Sequence, residues 1–172
     1  MNNLKKSEFD EVFNLMQQSF PENEYRTYEK QLNLLSINEY RILTKHNEKG
    51  SLTAFIAIWD FPKFIFIEHL AVNPICRGEG LGTKIMKELI ETCGKPVILE
   101  IEPPTNEISI KRCNFYKRLG FNLCDYEYYQ QPLRKNQNKL KLNLMSYPDP
   151  LDKNKFDYIR SYLIEHVYNA FN

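Results

Sequence analysis

Three glycines, Gly78, Gly80 and Gly82, stand at alternate positions between an apolar run and an amphipathic one, with Arg77 just before them. Glycine lets backbone N–H groups turn toward a ligand and lets that ligand come close. The run that follows reads as a helix, whose first amides lack intrahelical partners and sit at the positive end of its dipole. Together these features predict an anion cradle suited to phosphate or pyrophosphate. Three carboxylates interrupt apolar stretches nearby: Glu68 on one side of the glycines, Glu100 and Glu102 on the other. A carboxylate near a core is rarely idle. It either pairs with a lysine or arginine or exchanges protons.

The common nucleotide motifs do not fit. A P-loop ends in Gly-Lys-Ser/Thr, whereas the order here is Gly82-Thr83-Lys84. A dinucleotide fingerprint needs a third glycine where Thr83 stands, and the strands preceding the loop read as an antiparallel meander.

The elements that must hold these groups can be read from periodicity. Residues 7–20 place Phe9, Val12, Phe13 and Met16 on one helical face, with Ser7 as N-cap and Pro21 after the end. Residues 26–37 predict a second helix with Tyr28, Leu32 and Leu35 inward. The link Pro21–Arg26 is a connector or a substrate-facing loop. Runs 40–44, 52–59 and 64–72 are β-branched and aromatic, with turns between them, hence strands. The third is apolar enough to be central.

Helix 81–92 follows the glycines, with Leu81, Ile85, Met86, Leu89 and Ile90 inward and Gly94 after it. Strand 96–102 completes a βαβ unit and is expected parallel to 64–72. A helix at 108–119, a hairpin of 121–131 with 139–147, and a last helix at 151–171 complete the chain. Phe156, Ile159, Leu163 and Val167 mark the buried face of that last helix.

The segment Val72-Asn-Pro74, then Arg77-Gly-Glu-Gly80-Leu-Gly82, resembles the acyl-CoA loop of the GNAT superfamily of N-acetyltransferases, R/Q-x-x-G-x-G/A after Val-x-Pro. Phe115-Tyr-Lys-Arg-Leu-Gly-Phe121 is similar to that superfamily's second signature, F-Y-x-x-x-G-F. Both fall in the family's order on the expected elements. The resemblance implies an α/β (α+β) GNAT fold: a mostly antiparallel sheet with a parallel, splayed pair at about 64–72 and 96–102, flanked by helices. It covers residues 1–147 as one N-acetyltransferase domain, with 148–172 a helical extension on the same domain or at a dimer contact. The family's first strand must be short here, since only Asn2–Lys5 precedes the first helix.

The resemblance also implies roles. Backbone amides of Arg77, Gly78, Glu79, Gly80, Leu81, Gly82 and Thr83 would hold the pyrophosphate of acetyl-CoA. The backbones of Leu70, Ala71 and Val72 would run along its pantetheine arm, with an N–H of Leu70 or Val72 facing the oxyanion. Tyr116 matches the tyrosine that protonates the departing thiolate, since its phenol, ordinarily near ~10, is protonated at neutral pH. The base stays open among Glu68, Glu102, Glu100 and water. His69 points away from Glu68 on an alternating strand and reads as structural. Ser109 and Arg112 replace a common asparagine and alanine of the family, and Arg112 is a candidate phosphate contact. Cys76 and Cys113 are bystanders, because the family transfers acetyl directly.

The remaining composition sets bounds. The 172 residues are 42% hydrophobic, enough for one core, and eleven Phe with eleven Tyr are more than a core of this size needs. A net charge of +1 without a basic stripe argues against nucleic acid. No run approaches the ~20 apolar residues of a membrane span, and the N-terminus does not read as a signal peptide. Four cysteines without CxxC spacing and three scattered histidines predict reduced thiols and no metal site. The expectation is a cytoplasmic transferase, monomer or homodimer, that moves acetyl from acetyl-CoA to a primary amine. The alternative is a non-catalytic acyl-CoA binding or sensing module.

Overall fold

The computed structural model describes residues 1–170, and the chain forms two compact units, 1–95 and 96–172. The first unit is built from β1 (Asn2–Asn3), α1 (Phe9–Ser19), α2 (Tyr28–Asn33), β2 (Tyr40–His46), β3 (Leu52–Asp60), β4 (Ile65–Val72) and α3 (Leu81–Cys93). Its strands lie in the order β1-β2-β3-β4, each antiparallel to its neighbour. β1 is the expected short first strand. Every residue of β3 from Leu52 to Trp59 is buried, as expected for an interior strand covered on both faces.

Phe9, Val12, Phe13 and Met16 are buried as their spacing predicts. Ser7 does not cap α1. It lies inside a 3-10 turn, Lys6–Glu8, where the Lys5 amide donates to the Glu8 carboxylate at 3.2 Å. The second helix is shorter than expected and turns a different face inward. Thr27 caps it by accepting from the Lys30 amide, and after six residues it tightens into a 3-10 turn, Leu34–Ser36. Gln31 and Leu34 are buried while Tyr28 is exposed and Leu32 and Leu35 are half-buried. Gln31 is tolerated there because its amide donates to the Tyr40 hydroxyl at 2.6 Å.

The pairing of β3 with β4 contains a bulge. Ile58 faces Ile67 and Ala57 faces His69, so Glu68 is the extra residue. A bulge interrupts the alternation of side chains and bends the strand. It therefore brings the side chains of Glu68 and His69 close together, correcting the expectation that they point to opposite faces.

The second unit comprises β5 (Val97–Ile101), α4 (Glu107–Arg118), β6 (Asn122–Leu123), β7 (Tyr128–Gln130), β8 (Leu140–Tyr147) and α5 (Lys153–Leu163). β8 pairs antiparallel with β5, β6 and β7. The expected strand 121–131 is thus two short pieces, broken between Leu123 and Tyr128. Asp152 caps α5 by accepting from the Lys155 amide at 2.8 Å. A π-helical turn, Ile164–Tyr168, follows α5. Phe156, Ile159, Leu163 and Val167 are buried as predicted, and so is Tyr168. The end expected for this helix, at 171, lies outside the described residues.

Candidate active site

The glycine loop begins where β4 ends. The Asn73 side chain accepts from the Ile75 amide at 3.3 Å and donates to the Leu52 carbonyl at 3.2 Å, pinning the exit of the strand. The Arg77 Nε–H donates to the Val72 carbonyl at 3.2 Å, so this side chain braces the strand end. Gly78 and Gly80 adopt φ of +86° and +71°, values that disfavour any residue with a Cβ. A Cβ at either position would meet no atom within 4 Å, so the glycines serve backbone conformation and leave open space above the loop. Gly80 is the N-cap of α3 and gives no side-chain cap to its first turn. The amides of Leu81, Gly82 and Thr83 precede the first intrahelical donor, Lys84, which bonds the Gly80 carbonyl. This donor set, without a side-chain competitor, fits a pyrophosphate.

Just before Leu70, Glu68 sits in a buried polar cluster of the first unit. Arg26 Nη1 donates to Glu68 Oε1 at 2.5 Å and Trp59 Nε1 donates to Oε2 at 3.3 Å. The Arg26 and Glu68 side chains are 2% and 6% exposed. Burial pushes the Glu68 carboxyl up, but the Arg26 guanidinium, His69 and the two donors outweigh it and hold it below its ordinary value. His69 bonds the Glu24 carbonyl at 2.8 Å through Nε2, which must therefore carry the proton. Its Nδ1 lies 3.9 Å from Glu68 Oε2 without a hydrogen bond. Burial pushes the His69 imidazole below its usual value, with Glu68 pulling the other way.

In the second unit, Tyr116 is buried on α4 between the rings of Phe115 and Phe121. Burial raises its phenol to about 12, with Arg112 lowering it and Glu102 raising it. Arg112 contacts both oxygens of Glu102, each side chain about a third exposed. The family resemblance offers Arg112 to a phosphate; its guanidinium is engaged with Glu102 instead. Glu100 accepts from the phenols of Tyr128 and Tyr168 on a single oxygen. Ser109 is also committed: its hydroxyl accepts from the amides of Thr105 and Asn106, both at 3.1 Å, and completes the α4 cap. All four cysteines are free, with Cys113 buried on α4.

Sequence reasoning missed Arg26, Trp59, Tyr128 and Tyr168 as partners of the three carboxylates. The only available signal was the carboxylates themselves, which in apolar runs demand donors but do not say which ones. Among the described residues no group of three or more His, Cys, Asp or Glu could hold a metal ion, and no helix is long and apolar enough to cross a membrane.

Residues 9–121 match the Acetyltransferase (GNAT) family, and the chain belongs to that family. A solved GNAT-family protein from Bacteroides thetaiotaomicron is 32% identical and superposes with a TM-score of 0.88 over 97% of both chains. Its likeness extends over the whole mixed α/β architecture. YjbC of Bacillus subtilis (strain 168), named as an acetyltransferase, is 39% identical over 64 residues. That match covers 36% of this chain and about a third of the relative.

More distant structures share the fold alone. The ribosomal-protein-S18-alanine N-acetyltransferase of Escherichia coli gives a TM-score of 0.63 at 20% identity, over 88% of this chain and 94% of its own. A point mutant of the spermidine N-acetyltransferase SpeG from Vibrio cholerae gives 0.64 at 10%, over 84% and 90%.

Proposed function

We propose that this protein is an acetyl-CoA-dependent N-acetyltransferase that passes acetyl directly from the thioester to a primary amine of a small molecule or peptide. Residues 1–147 form the catalytic domain and 148–172 an extension of it, working in the cytoplasm where the four thiols stay reduced. The observation that carries the reading is the glycine loop before α3, where Gly80 gives no side-chain cap and the amides of Leu81, Gly82 and Thr83 precede the first intrahelical donor. The buried Tyr116 phenol, raised to about 12, is protonated at physiological pH.

In this reading the amides of Arg77 to Thr83 hold the pyrophosphate, and the backbones of Leu70 to Val72 line the pantetheine arm. The amine nitrogen bonds to the carbonyl carbon, and a backbone N–H of Leu70 or Val72 steadies the oxyanion. When the carbon–sulfur bond breaks, Tyr116 protonates the thiolate. The proton lost by the amine restores the balance through water. Among the carboxylates, Glu100 already accepts from two phenols and Glu68 is held ionised by Arg26. Glu102 keeps access to solvent and is the proton acceptor we assign, with Glu68 a fixed negative charge.

A second reading, a non-catalytic acyl-CoA sensor, draws on one specific observation: each of the three carboxylates already has a partner. A turnover screen decides between them. Acetyl-CoA is offered with polyamines, aminoglycosides, amino acids and peptide N-termini while free thiol is followed. Release with one amine class supports the transferase. Tight CoA binding with no release on any amine supports the sensor.

A further inference from the structure

We propose that Arg26 and His69 are positioning residues, and that with Glu68 they clamp residues 20–26 onto the bulge of β4 to set where the acceptor amine is held. The inference rests on the acetyl-transfer reading above and deepens it.

Three contacts reach one short segment from two adjacent residues. Glu68 takes the Arg26 guanidinium at 2.5 Å. His69 bonds the Glu24 carbonyl at 2.8 Å, and the Phe20 ring meets the His69 ring edge-on at 4.8 Å. Both gripping residues belong to the bulge, because Glu68 is the extra residue opposite Ala57 and Ile58. Trp59 on β3 closes the remaining Glu68 oxygen. The segment has little regular structure of its own: a single 3-10 turn, Glu22–Glu24, between Pro21 and the buried Tyr25, whose ring meets Phe13 edge-on at 5.9 Å. A connector has no need of a buried ion pair, whose desolvation cost is high.

The clamp has a direct bearing on the chemistry. Glu68 and His69 immediately precede Leu70, and a strand advances only about 3.3 Å per residue. A segment fastened to them is therefore fastened within two residues of the backbone assigned to the thioester end of the donor. Orientation of two reactants is sensitive to small displacements. Glu68 does this work as a permanent anion. Proton transfer to it would release Arg26.

The test uses the full chain with acetyl-CoA and whichever amine the screen identifies, with hydrogen exchange as a readout independent of turnover. Arg26→Met and Glu68→Gln each leave one buried charge alone. Each should lower kcat/KM for the amine about tenfold or more while the Kd for acetyl-CoA moves less than about twofold. Amide protection should fall together in residues 22–26 and 67–70. The charge-exchanged double variant Arg26→Glu/Glu68→Arg rebuilds the ion pair across the clamp and should recover part of the loss. A double variant as inactive as Glu68→Gln, with folding and CoA binding intact, overturns the proposal, since Glu68 would then have a chemical task of its own. Arg26→Lys, a milder change, serves if the others fail to fold. It should loosen both segments in concert, and loosening of 22–26 alone also overturns the clamp. A protein that turns over no amine yet shows concerted protection retains the mechanical coupling and loses the transferase reading, so the two failures are distinguishable.

Discussion

Tyr168, on the last turn of the described chain, donates its phenol to the same Glu100 oxygen that Tyr128 uses from β7. Two phenols on one carboxylate oxygen hold the π-helical end of α5 against β5 within the second unit. Burial, first, and the neighbouring Glu100 raise both phenols well above 10. Both are therefore protonated donors at neutral pH.

Removing one of these donors should cost stability in proportion to a hydrogen bond on a charged group. Tyr168→Phe and Tyr128→Phe are each expected to lower unfolding free energy by about 1.5–3 kcal/mol in urea titrations. Because they share an oxygen, the double variant should depart from additivity. Strictly additive losses would mean that the two bonds act independently.

Tyr116→Phe removes a proton donor and little else from a buried aromatic cluster. Turnover is expected to fall about 100-fold or more, while the Kd for acetyl-CoA, measured by calorimetry, changes less than about threefold. With the phenol raised to about 12, the wild-type rate should show no alkaline loss from this group below about pH 10. Equal losses in turnover and affinity would reduce Tyr116 to a binding contact.

Gly78→Ala and Gly80→Ala strain a left-handed backbone where a methyl group meets no obstacle. The strain is worth about 1–2 kcal/mol per position. The loop is exposed, so it can relax when empty and the cost should appear on binding. The expected result is a roughly tenfold weaker Kd for acetyl-CoA with a melting temperature little changed. A large fall in melting temperature would mark these glycines as structural.

Acid stability should depend on Glu68 and His69. Both have folded values below their ordinary ones of 4.5 and 6.5, so the unfolded chain binds the extra protons. The His69 contribution is complete above about pH 6.5 and declines as pH falls toward its folded value. The Glu68 contribution is complete above about pH 4.5 and declines below it. His69→Phe should flatten the pH dependence of stability just below about pH 6.5. Arg26→Met, which strands Glu68, should cost about 3–5 kcal/mol at neutral pH and less in acid. A stability curve unchanged by His69→Phe would remove His69 from this account.

Much of the fold was legible because long amphipathic or apolar runs leave few alternatives: α1, β3, β4, α3 and α5 all lie where periodicity puts them. The glycine turn before α3 was legible because its residue types and order are themselves the signal. What escaped depends on geometry that periodicity does not encode. The bulge at Glu68 breaks the two-residue alternation that sends His69 to the other face. α2 turns Gln31 inward in place of Tyr28, where its amide meets the Tyr40 hydroxyl. Arg26 lies 42 residues before Glu68 in a polar link, and nothing local to it signals a buried cation.

The bulge cluster also contains the chain's one tryptophan. Trp59 stacks on Phe61 at 5.8 Å, meets Tyr40 edge-on at 5.0 Å and donates its indole N–H to Glu68. The intrinsic tryptophan emission of the whole protein therefore originates at a single chromophore in contact with the charge that anchors Arg26. The molecule carries an unlabelled optical gauge of its bulged β4 strand, readable by stopped-flow mixing with acetyl-CoA.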